Sequence, residues 1–315
     1  MFTADLASRI RGELGKVIVG QDEVIEQVLV CYFARGHALF EGLPGLAKTL
    51  LVKALARVVG KRFARIQFTP DLLPADVVGS YVFNQRDLTF ELRPGPVFTD
   101  LLLADEINRT PPKTQSALLE VMEERQVTID GETHPLSADF TVFATQNPLE
   151  LGGTFPLPEA QLDRFMMKIN IGYPSLDEEV EILSRYQQGF DASELDRVGL
   201  EQVAGDGELA RVREEIAQVK VQPEVLRYMA ELSVATRAQP GVEVGASPRA
   251  SVHLFKASRA LAAIRGMDYV TPDLVAELAL PVMRHRIMLT PEAEVEGATP
   301  DQLLTEAVRS VEVPR

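Results

Sequence analysis

Short apolar runs alternate with helical patterns through roughly the first 175 residues of the chain. Each run is bounded by turn or charged residues, which is typical of buried strands. The runs cover residues 37–40, 63–68, 101–104, 140–144 and 166–171. This alternation predicts an α/β fold in which a five-stranded parallel sheet is covered by helices on both faces. A ligand would then lie at the carboxyl ends of the strands.

The character of the chain changes after about residue 175, where strand-like runs disappear and helical periodicity takes over. Residues 191–207 are polar, contain glycine and lack a clear period, so they indicate a linker. A chain of 315 residues is long enough for two domains, because a single core rarely grows beyond about 250 to 300 residues. We therefore expect an α/β core over residues 1–190 and an all-helical domain over residues 208–315.

Two segments interrupt the alternation and predict hairpins. Residues 79–97 contain two short strand-like runs and follow a helical pattern. Residues 125–136 hold Asp130-Gly131 between alternating runs, which is a strong hairpin signal. Neither segment is rich in lysine or arginine, so neither is suited to binding nucleic acid.

The composition is that of an ordinary globular protein, with 46% hydrophobic and 25% charged residues. The formal net charge of -14 opposes a large nucleic-acid surface, which would need clustered lysines and arginines. The single cysteine, Cys31, permits no internal disulfide, and the four histidines show no metal-ligand spacing. The first residues lack a basic segment followed by an apolar one, and no apolar run approaches the ~18 residues that span a bilayer. We therefore expect a cytoplasmic location.

The residues from Glu41 to Thr49 form a glycine-containing loop between the first apolar run and a strongly periodic helix. Such a loop aims backbone N–H groups at one point, and the helix N-terminus adds about half a positive charge there. Lys48 can reach outer phosphates, and the hydroxyl of Thr49 can bind Mg²⁺. Ala47 stands where the generic pattern has glycine. Because a Cβ disfavours the left-handed region, we expect the backbone of Ala47 to have a negative φ. The pattern favours a nucleotide site over an ordinary Gly-Pro turn that caps a helix.

Polar side chains follow two later strands at the same predicted edge of the sheet. Asp105 and Glu106 come directly after the run 101–104, where one carboxylate can hold Mg²⁺ through water and the other can orient an attacking water. Asn147 follows the next run and can position that water, although Asn-Pro is also a frequent turn dipeptide. An acidic pair is common at a strand exit, but together with the upstream loop it predicts a phosphoryl-transfer site.

Arg164, just before the last strand, is a candidate for a contact with phosphate. It either pairs with the nearby Asp163 or Glu159, or is presented to the phosphate of a neighbouring subunit. An arginine inserted in trans accelerates phosphoryl transfer by roughly 10³ to 10⁵. Arg109 is a weaker candidate of the same kind.

Arg249 breaks a local rule of helix electrostatics. It stands in the first turn of a helix that begins at Ser247-Pro248, where a hydroxyl and a proline signal the start. A cation there is disfavoured by about 0.3 to 1 kcal/mol unless an anion compensates. The position indicates either a phosphate near Arg249 or a pairing with a surface carboxylate.

Five strings occur in the order found in AAA+ ATPases, and they resemble the MoxR family most closely. The strings are Gly42-Leu43-Pro44-Gly45-Leu46-Ala47-Lys48-Thr49, Ala104-Asp105-Glu106-Ile107-Asn108-Arg109, Ala144-Thr145-Gln146-Asn147-Pro148, Leu157-Pro158-Glu159-Ala160-Gln161-Leu162-Asp163-Arg164-Phe165 and Gly245-Ala246-Ser247-Pro248-Arg249-Ala250. The resemblance covers nearly the whole chain, and the family's own loop has alanine before the lysine. It implies a P-loop AAA+ core sandwiched by helices and a C-terminal helical lid domain.

The resemblance also implies roles for individual residues. Lys48 and Thr49 become the Walker A ligands, Asp105 and Glu106 Walker B, Asn147 sensor 1, Arg164 the arginine finger and Arg249 sensor 2. The implied nucleotide contacts are Val19, Gly20 and Gln21 beside the adenine, and Gly42, Pro44, Gly45, Leu46, Ala47, Lys48, Thr49 and Leu50 in the loop. Thr49 and Asp105 would hold the metal. The residues alone indicate only an interhelical loop at 19–21. Residues 79–97 resemble the helix-2 insert, and residues 125–136 the hairpin before sensor 1.

Proteins similar to this one form ATP-dependent rings, usually hexamers, and act as chaperone-like remodellers with ATP and Mg²⁺. They often work with a partner that carries a von Willebrand factor A domain. The alternative is the motor subunit of a metal chelatase, which would require a tetrapyrrole-binding subunit. A nucleic-acid helicase is disfavoured by the net charge and by the poorly basic hairpins. A small-metabolite kinase has no obvious use for an inter-subunit Arg164.

Overall fold

The computed structural model describes residues 1–147 and 153–314. The strands are β1 (Ala38–Glu41), β2 (Phe63–Gln67), β3 (Gly79–Asn84), β4 (Thr89–Pro94), β5 (Leu101–Asp105), β6 (Gln126–Ile129), β7 (Glu132–Pro135), β8 (Thr141–Gln146), β9 (Met167–Asn170), β10 (Val242–Val244) and β11 (Met288–Leu289). The α-helices are α1 (Phe2–Leu14), α2 (Asp22–Phe33), α3 (Lys48–Val58), α4 (Pro74–Val78), α5 (Pro112–Glu124), α6 (Glu159–Leu162), α7 (Leu176–Gln187), α8 (Asp206–Gln218), α9 (Pro223–Ala238), α10 (Pro248–Ile264), α11 (Pro272–Met283), α12 (Pro291–Val295) and α13 (Pro300–Ser310). Short 3-10 helices cover Ile107–Arg109 and Leu195–Arg197.

The central sheet has five parallel strands in the order β2-β5-β8-β1-β9, which confirms the predicted fold class. Every predicted run forms one of these strands, with ends shifted by at most two residues. The strands β5, β8 and β1 are neighbours, so the segments that follow them meet at one edge of the sheet. This edge brings together the loop after β1, the acidic pair after β5 and Asn147 after β8.

Two apolar cores lie on opposite faces of the sheet. In β5, Leu101 and Leu103 join one core, whereas Leu102 and Ala104 join the other. The first core includes α1, α2, α3 and the C-terminal helices, and the second includes α5 and the strand β6. A strand buried on both faces needs apolar side chains at successive positions. This explains why β5 is a continuous apolar run rather than an alternating one.

Two antiparallel hairpins occupy the segments that interrupt the alternation. The strands β3 and β4 pair from Gly79 with Pro94 to Asn84 with Thr89, and β6 pairs with β7 across Asp130-Gly131. Both turn residues have positive φ, 49° and 87°, as a tight hairpin turn requires. Tyr81 Oη donates to Glu132 Oε2 at 2.5 Å, so the two hairpins touch.

The N-terminal helices lie against the C-terminal ones. Helix α1 packs on α3, α8 and α10, and α2 packs on α8, α10 and β9. Leu195 and Leu200, within the predicted linker, are buried in the same core. The strands β10 and β11 add a short antiparallel pair to the otherwise helical C-terminal region. The division into core, linker and lid stays a prediction. No helix in the described part of the chain is long and apolar enough to cross a bilayer.

Candidate active site

A cavity of about 670 Å³ opens at the carboxyl edge of the sheet, between the loop after β1 and helix α7. Small-molecule sites typically have volumes of roughly 300 to 1,000 Å³. Most of the predicted site residues line the cavity: Val19, Gln21, Pro44, Gly45, Leu46, Ala47, Lys48, Thr49, Leu50, Asp105, Glu106 and Asn147. Gly20 and Gly42 are adjacent to this lining in the chain. Arg164 and Arg249 are not among the described residues that line the cavity.

The loop after β1 differs from the expectation at Ala47. Its φ is 57°, in the left-handed region, so the predicted negative φ is wrong. A Cβ in this region costs roughly 1 to 2 kcal/mol. Ala47 nevertheless serves as the N-cap of α3, and its carbonyl accepts the N–H of Leu51 at 2.9 Å. The helix therefore begins at the cavity, where its first N–H groups lack intrahelical partners and suit an anion.

Lys48 is held between carbonyl groups of the loop and the acidic pair. Its Nζ donates to the carbonyl of Gly42 at 2.6 Å and to that of Leu43 at 3.2 Å. Burial lowers the pKa of Lys48, and the carboxylates of Asp105 and Glu106 oppose that shift. The ammonium group thus lies at the cavity surface, where it can exchange a loop carbonyl for a phosphate oxygen.

The hydroxyl of Thr145 holds the acidic pair in place from the end of β8. Thr145 Oγ1 donates to Asp105 Oδ1 at 2.6 Å and accepts the backbone N–H of Glu106 at 2.8 Å. The sequence analysis gave Thr145 no role of its own, although its place directly after a buried run was a usable signal. Asn147, 8% exposed, lines the cavity two residues further on. Pro148, the end of that string, lies outside the described residues.

Three further side chains contact the acidic pair from its open side. Arg65 donates to Asp105 Oδ2 from Nε at 3.1 Å and from Nη2 at 2.6 Å. Gln67 Nε2 donates to Glu106 Oε2 at 2.7 Å, and Arg109 Nε lies 3.1 Å from the same oxygen. Arg109 therefore contacts the acidic pair of its own chain. Arg65 and Gln67 come from the edge strand β2, and the sequence analysis missed both.

An apolar wall forms another side of the cavity. It combines Val17 and Ile18, between α1 and α2, with Ile182, Tyr186 and Phe190 in and after α7. The rings of Tyr186 and Phe190 meet edge to face with centroids 5.3 Å apart. Helical structure was expected after about residue 175, but the part that α7 plays in the cavity was not, because the period of this helix shows an amphipathic face and not what that face covers.

Two glycines allow the close approach of the cavity walls. A Cβ at Gly42 would lie 2.6 Å from the carbonyl oxygen of Ile171, at the end of β9. Gly20 has a φ of 64°, and a Cβ there would overlap the carboxylate of Glu178 on α7. The segment at 19–21 therefore lies against α7, next to the apolar wall.

Arg164 and Arg249 lie together, away from the cavity, and share Glu123. Arg249 Nη2 is 3.0 Å from Glu123 Oε1, and Arg164 Nε is 3.9 Å from Glu123 Oε2. Arg164 pairs with Glu123 rather than with the predicted Asp163 or Glu159, because Asp163 is engaged by other groups. Glu123 compensates the cation in the first turn of α10, so the structure contains the alternative that was weighed against a phosphate contact, a pairing of Arg249 with a carboxylate.

Asp163 belongs to a buried polar network that the sequence analysis missed. Arg286 Nε donates to Asp163 Oδ1 at 2.7 Å, and Ser247 Oγ, at the N-cap of α10, donates to Asp163 Oδ2 at 3.0 Å. Arg286 Nη2 donates to His253 Nδ1 at 2.5 Å. Burial, with the charge of Arg286 next, lowers the pKa of His253 to about 3, so His253 is neutral and can accept this bond. Arg286 follows the apolar helix α11, where sequence patterns indicate only a surface cation.

The donor set fits a magnesium-bound nucleoside triphosphate. The hydroxyl of Thr49 and the carboxylate of Asp105 are hard oxygen donors of the kind that Mg²⁺ prefers. Within the described residues no group of three or more His, Cys, Asp or Glu side chains could hold a metal, so an ion here would need phosphate oxygens and water as further ligands. Gln21 Oε1 is buried without a hydrogen-bond partner in the described structure, and it lies in a cavity with an apolar wall. That combination suits a base with an amino group.

The fold and the site together define a P-loop ATPase of the AAA+ class. The family described as "ATPase family associated with various cellular activities (AAA)" matches residues 37–167, and the AAA lid domain matches residues 234–307. The chain belongs to the MoxR family of AAA+ ATPases. It is 45% identical to Chaperone MoxR1 of Mycobacterium tuberculosis over 96% of this chain and 81% of that protein. It is also 45% identical to the uncharacterized protein YeaC of Bacillus subtilis over 96% of this chain and 92% of the relative. A crystal structure assigned to an ATPase of Cytophaga hutchinsonii has a TM-score of 0.90 at 41% identity, covering 100% of this chain and 96% of that one.

Proposed function

We propose that the chain hydrolyses ATP in a Mg²⁺-dependent reaction within a homo-oligomeric ring, most simply a hexamer. Lys48 and the N–H groups at the start of α3 bind phosphate oxygens, and Thr49 and Asp105 hold the metal, which neutralises charge on the phosphates. Glu106 orients and deprotonates the attacking water, and Asn147 positions it. The observation that carries this proposal is the convergence of Lys48, Thr49, Asp105, Glu106 and Asn147 on one cavity.

Arg164 and Arg249 act, in this proposal, on the nucleotide of a neighbouring subunit. Both lie outside the cavity of their own chain, and both are held at one place by Glu123. An intermolecular role accounts for two arginines that are grouped on the surface of an acidic protein. The phosphates of the neighbour would then replace Glu123 as their partner.

The ring remodels a protein client in the cytoplasm, where ATP is available, together with a partner that carries a von Willebrand factor A domain. The similarity to a protein named Chaperone MoxR1 supports the remodelling activity.

The same proposal divides the chain into an AAA+ core over residues 1–190, a linker at 191–207 and a lid over 208–315. The match of residues 234–307 to the AAA lid domain supports the last of these.

Two substitutions in the cavity test the hydrolytic step. Glu106→Gln should still bind ATP, but its rate of hydrolysis should fall by a factor of roughly 10² to 10⁴, the usual contribution of a general base. Lys48→Ala should lose ATP binding. Glu224→Gln, an exposed change at the start of α9, serves as the control and should leave both unchanged. Hydrolysis by Glu106→Gln at the wild-type rate would contradict the assignment.

Mixed rings test the action of Arg164 and Arg249 in trans. Arg164→Ala chains and Lys48→Ala chains should each be inactive alone, but a mixture pairs an intact cavity with an intact arginine and should recover hydrolysis. Arg249→Ala should behave in the same way. Arg227→Ala, which removes an 81% exposed arginine side chain, is the matched control. An absence of recovery at every mixing ratio would mean that the arginines act within their own chain.

Capture of the partner separates the remodeller from the chelatase motor. Immobilised Glu106→Gln protein, loaded with Mg·ATP, is exposed to lysate from its own source with and without nuclease. A retained von Willebrand factor A domain protein that ADP releases supports the remodelling ring. A retained tetrapyrrole-binding subunit favours the chelatase, and nucleic acid that is lost in moderate salt favours a helicase.

A further inference from the structure

A second cavity, of about 630 Å³, lies where the ends of α2 and α5 meet α8 and α10. Its volume is close to that of the cavity at Lys48, about 670 Å³. Five of its lining residues are cationic: Arg35, Arg125, Arg213, Lys256 and Arg259. None of the described lining residues is aspartate or glutamate. Such a concentration of positive charge is unexpected in a chain whose net charge is -14.

These cations are not explained by ion pairs within the chain. Only Arg213 has an acidic partner among the described residues, since its Nη2 lies 2.5 Å from Asp139 Oδ1, and Asp139 is shared with Lys61. Arg125 donates to the carbonyl of Ala138 at 3.0 Å and to that of Arg35 at 2.8 Å. These bonds hold the Arg125 guanidinium in position without neutralising its charge.

The remaining cations also keep their charge. Arg259 donates to the carbonyl of Ala217 and lies over the ring of Phe255, 5.2 Å from its centroid. Arg35 and Lys256 are exposed, and no ion pair to either is present in the described structure. Arg35, Arg125, Lys256 and Arg259 therefore have no ion pair in the described structure, although the charge of Asp139 also acts on Arg35 and Arg125.

The cations of the cavity repel one another. Burial first, and then the charges of Arg35 and Arg213, lower the pKa of Arg125. Burial and the charge of Arg213 likewise lower the pKa of Arg35. The carboxylate of Asp139 opposes both shifts only in part, since the pKa of each arginine is still lowered. A bound anion would remove this repulsion and would also find donors that are already ordered.

The shape of the site favours a compact anion over an extended acidic segment. The five cations line one open cavity, so a ligand that contacts several of them must carry several negative charges. Phosphate groups do so, and guanidinium groups bind them through paired N–H donors. Phe33 and Ile216 add apolar surface to the same cavity, as in sites for small organic ligands.

We propose that this cavity is a second ligand site, separate from the one at Lys48, and that it binds a multiply charged phosphate anion of nucleotide size or smaller. The ligand would contact α2 and α5 on one side and α8 and α10 on the other. Lys256 and Arg259 of this site lie on α10, the helix whose first turn carries Arg249.

Direct titration of the full-length chain tests the proposal. Tripolyphosphate, pyrophosphate and ADP are titrated, at fixed ionic strength and by calorimetry, into Lys48→Ala protein, which weakens the first site. The test variant adds Arg35→Gln and Lys256→Gln, both at exposed positions without ion pairs that the fold needs. The matched control adds Arg197→Gln and Arg227→Gln instead, two arginines with side chains 81% exposed that line neither cavity.

We expect tripolyphosphate to bind the control variant and to bind the test variant at least roughly tenfold more weakly, because each lost contact is a hydrogen bond to a charged group. Tighter binding of ADP than of pyrophosphate would identify the ligand of this cavity as a nucleotide. Equal affinities would identify it as a free phosphate anion. Equal binding of tripolyphosphate by the two variants would overturn the proposal. So would binding of hexaglutamate as tight as that of tripolyphosphate, since the cavity would then be an acidic-peptide surface.

Discussion

The guanidinium of Arg286 is bound to the carboxylate of Asp163 at 2.7 Å, with the arginine side chain 1% exposed. Asp163 directly precedes Arg164 in the chain, and its other oxygen accepts the hydroxyl of Ser247 at 3.0 Å. Ser247 is the N-cap of α10, whose first turn carries Arg249. The buried pair thus joins the segment that presents Arg164 to the helix that presents Arg249.

Arg286→Met should strongly destabilise the protein. The substitution removes the buried partner of Asp163 and leaves only the more distant Arg249, whose Nη1 lies 3.8 Å from Asp163 Oδ2. Loss of one partner of a buried ion pair typically costs about 3 to 5 kcal/mol. The free energy of unfolding in urea measures the loss. Arg227→Met, an exposed arginine in an i,i+4 pair, is the matched control and should change stability by no more than about 0.5 kcal/mol. A loss below about 1 kcal/mol for Arg286→Met would contradict the expectation that this ion pair is a major stabilising contact.

The stability of the protein should fall in weak acid because of His37. Its Nδ1 accepts the N–H of Val142 at 2.9 Å, and its Nε2 lies 3.1 Å from the carbonyl of Met122, so the buried ring is neutral. Burial, and then the charge of Arg125, lower the pKa of His37 from 6.5 to about 4. Between these values the unfolded chain binds a proton that the folded chain does not. The stabilisation is therefore complete above pH 6.5 and is lost as the pH falls toward 4.

The comparison of His37→Gln with the wild type isolates this effect, because all other titrating groups are common to both. Between pH 7 and pH 5 the wild type should lose about 2 kcal/mol more than the variant, as expected for one shifted histidine. Urea unfolding at the two pH values gives the difference. Identical losses in the two proteins would mean that the pKa of His37 is the same in the folded and the unfolded chain.

The sequence was sufficient to predict that candidate residues following strands of the central sheet meet at one cavity. The loop that ends in Lys48, the acidic pair with Asp105, and Asn147 each follow an apolar run, and parallel strands bring such segments to one edge whatever the order of the strands. The order itself, with β1 between β8 and β9, depends on pairings between distant segments and has no local signal. The same limit applies to Arg65, whose contact with Asp105 requires β2 to lie beside β5.

Other parts of the site depend on tertiary packing that no periodicity shows. Tyr186 lies on an amphipathic helix, and only the return of the chain after β9 places it at the cavity. Arg286 is a cation that the fold buries, contrary to the usual preference, because Asp163 and neighbouring carbonyl groups satisfy its donors. Ala47 was misjudged because a preference for φ was applied without the constraint that the start of α3 imposes.

Thr145→Val should reduce ATP hydrolysis by about tenfold or more, on the proposed function, while Thr145→Ser should remain active. Valine has a similar shape but cannot donate to Asp105 or accept from the N–H of Glu106. A buried group left unpaired costs about 1 to 3 kcal/mol. The values of kcat and KM for ATP separate the outcomes, because misplacement of the acidic pair should lower kcat. Equal loss in the serine variant would point to lost packing rather than to the lost hydroxyl.

Ala47→Gly should stabilise the protein slightly. The substitution removes a Cβ from a residue with a φ of 57°, which relieves about 1 to 2 kcal/mol. The greater freedom of glycine in the unfolded chain offsets about 0.4 to 1 kcal/mol of this gain. We expect a net increase of up to about 1.6 kcal/mol in the free energy of unfolding, with ATP affinity retained.

The matched control for Ala47→Gly is Ala54→Gly, a change at a buried position inside α3. There the backbone is helical, so glycine should destabilise by about 1 kcal/mol or more. The expected changes in the free energy of unfolding therefore have opposite signs in the two variants. Urea unfolding of both variants measures these changes. If Ala47→Gly instead lost as much stability as Ala54→Gly, the Cβ of Ala47 would be a packing contact of the loop, and its left-handed backbone would carry no measurable strain.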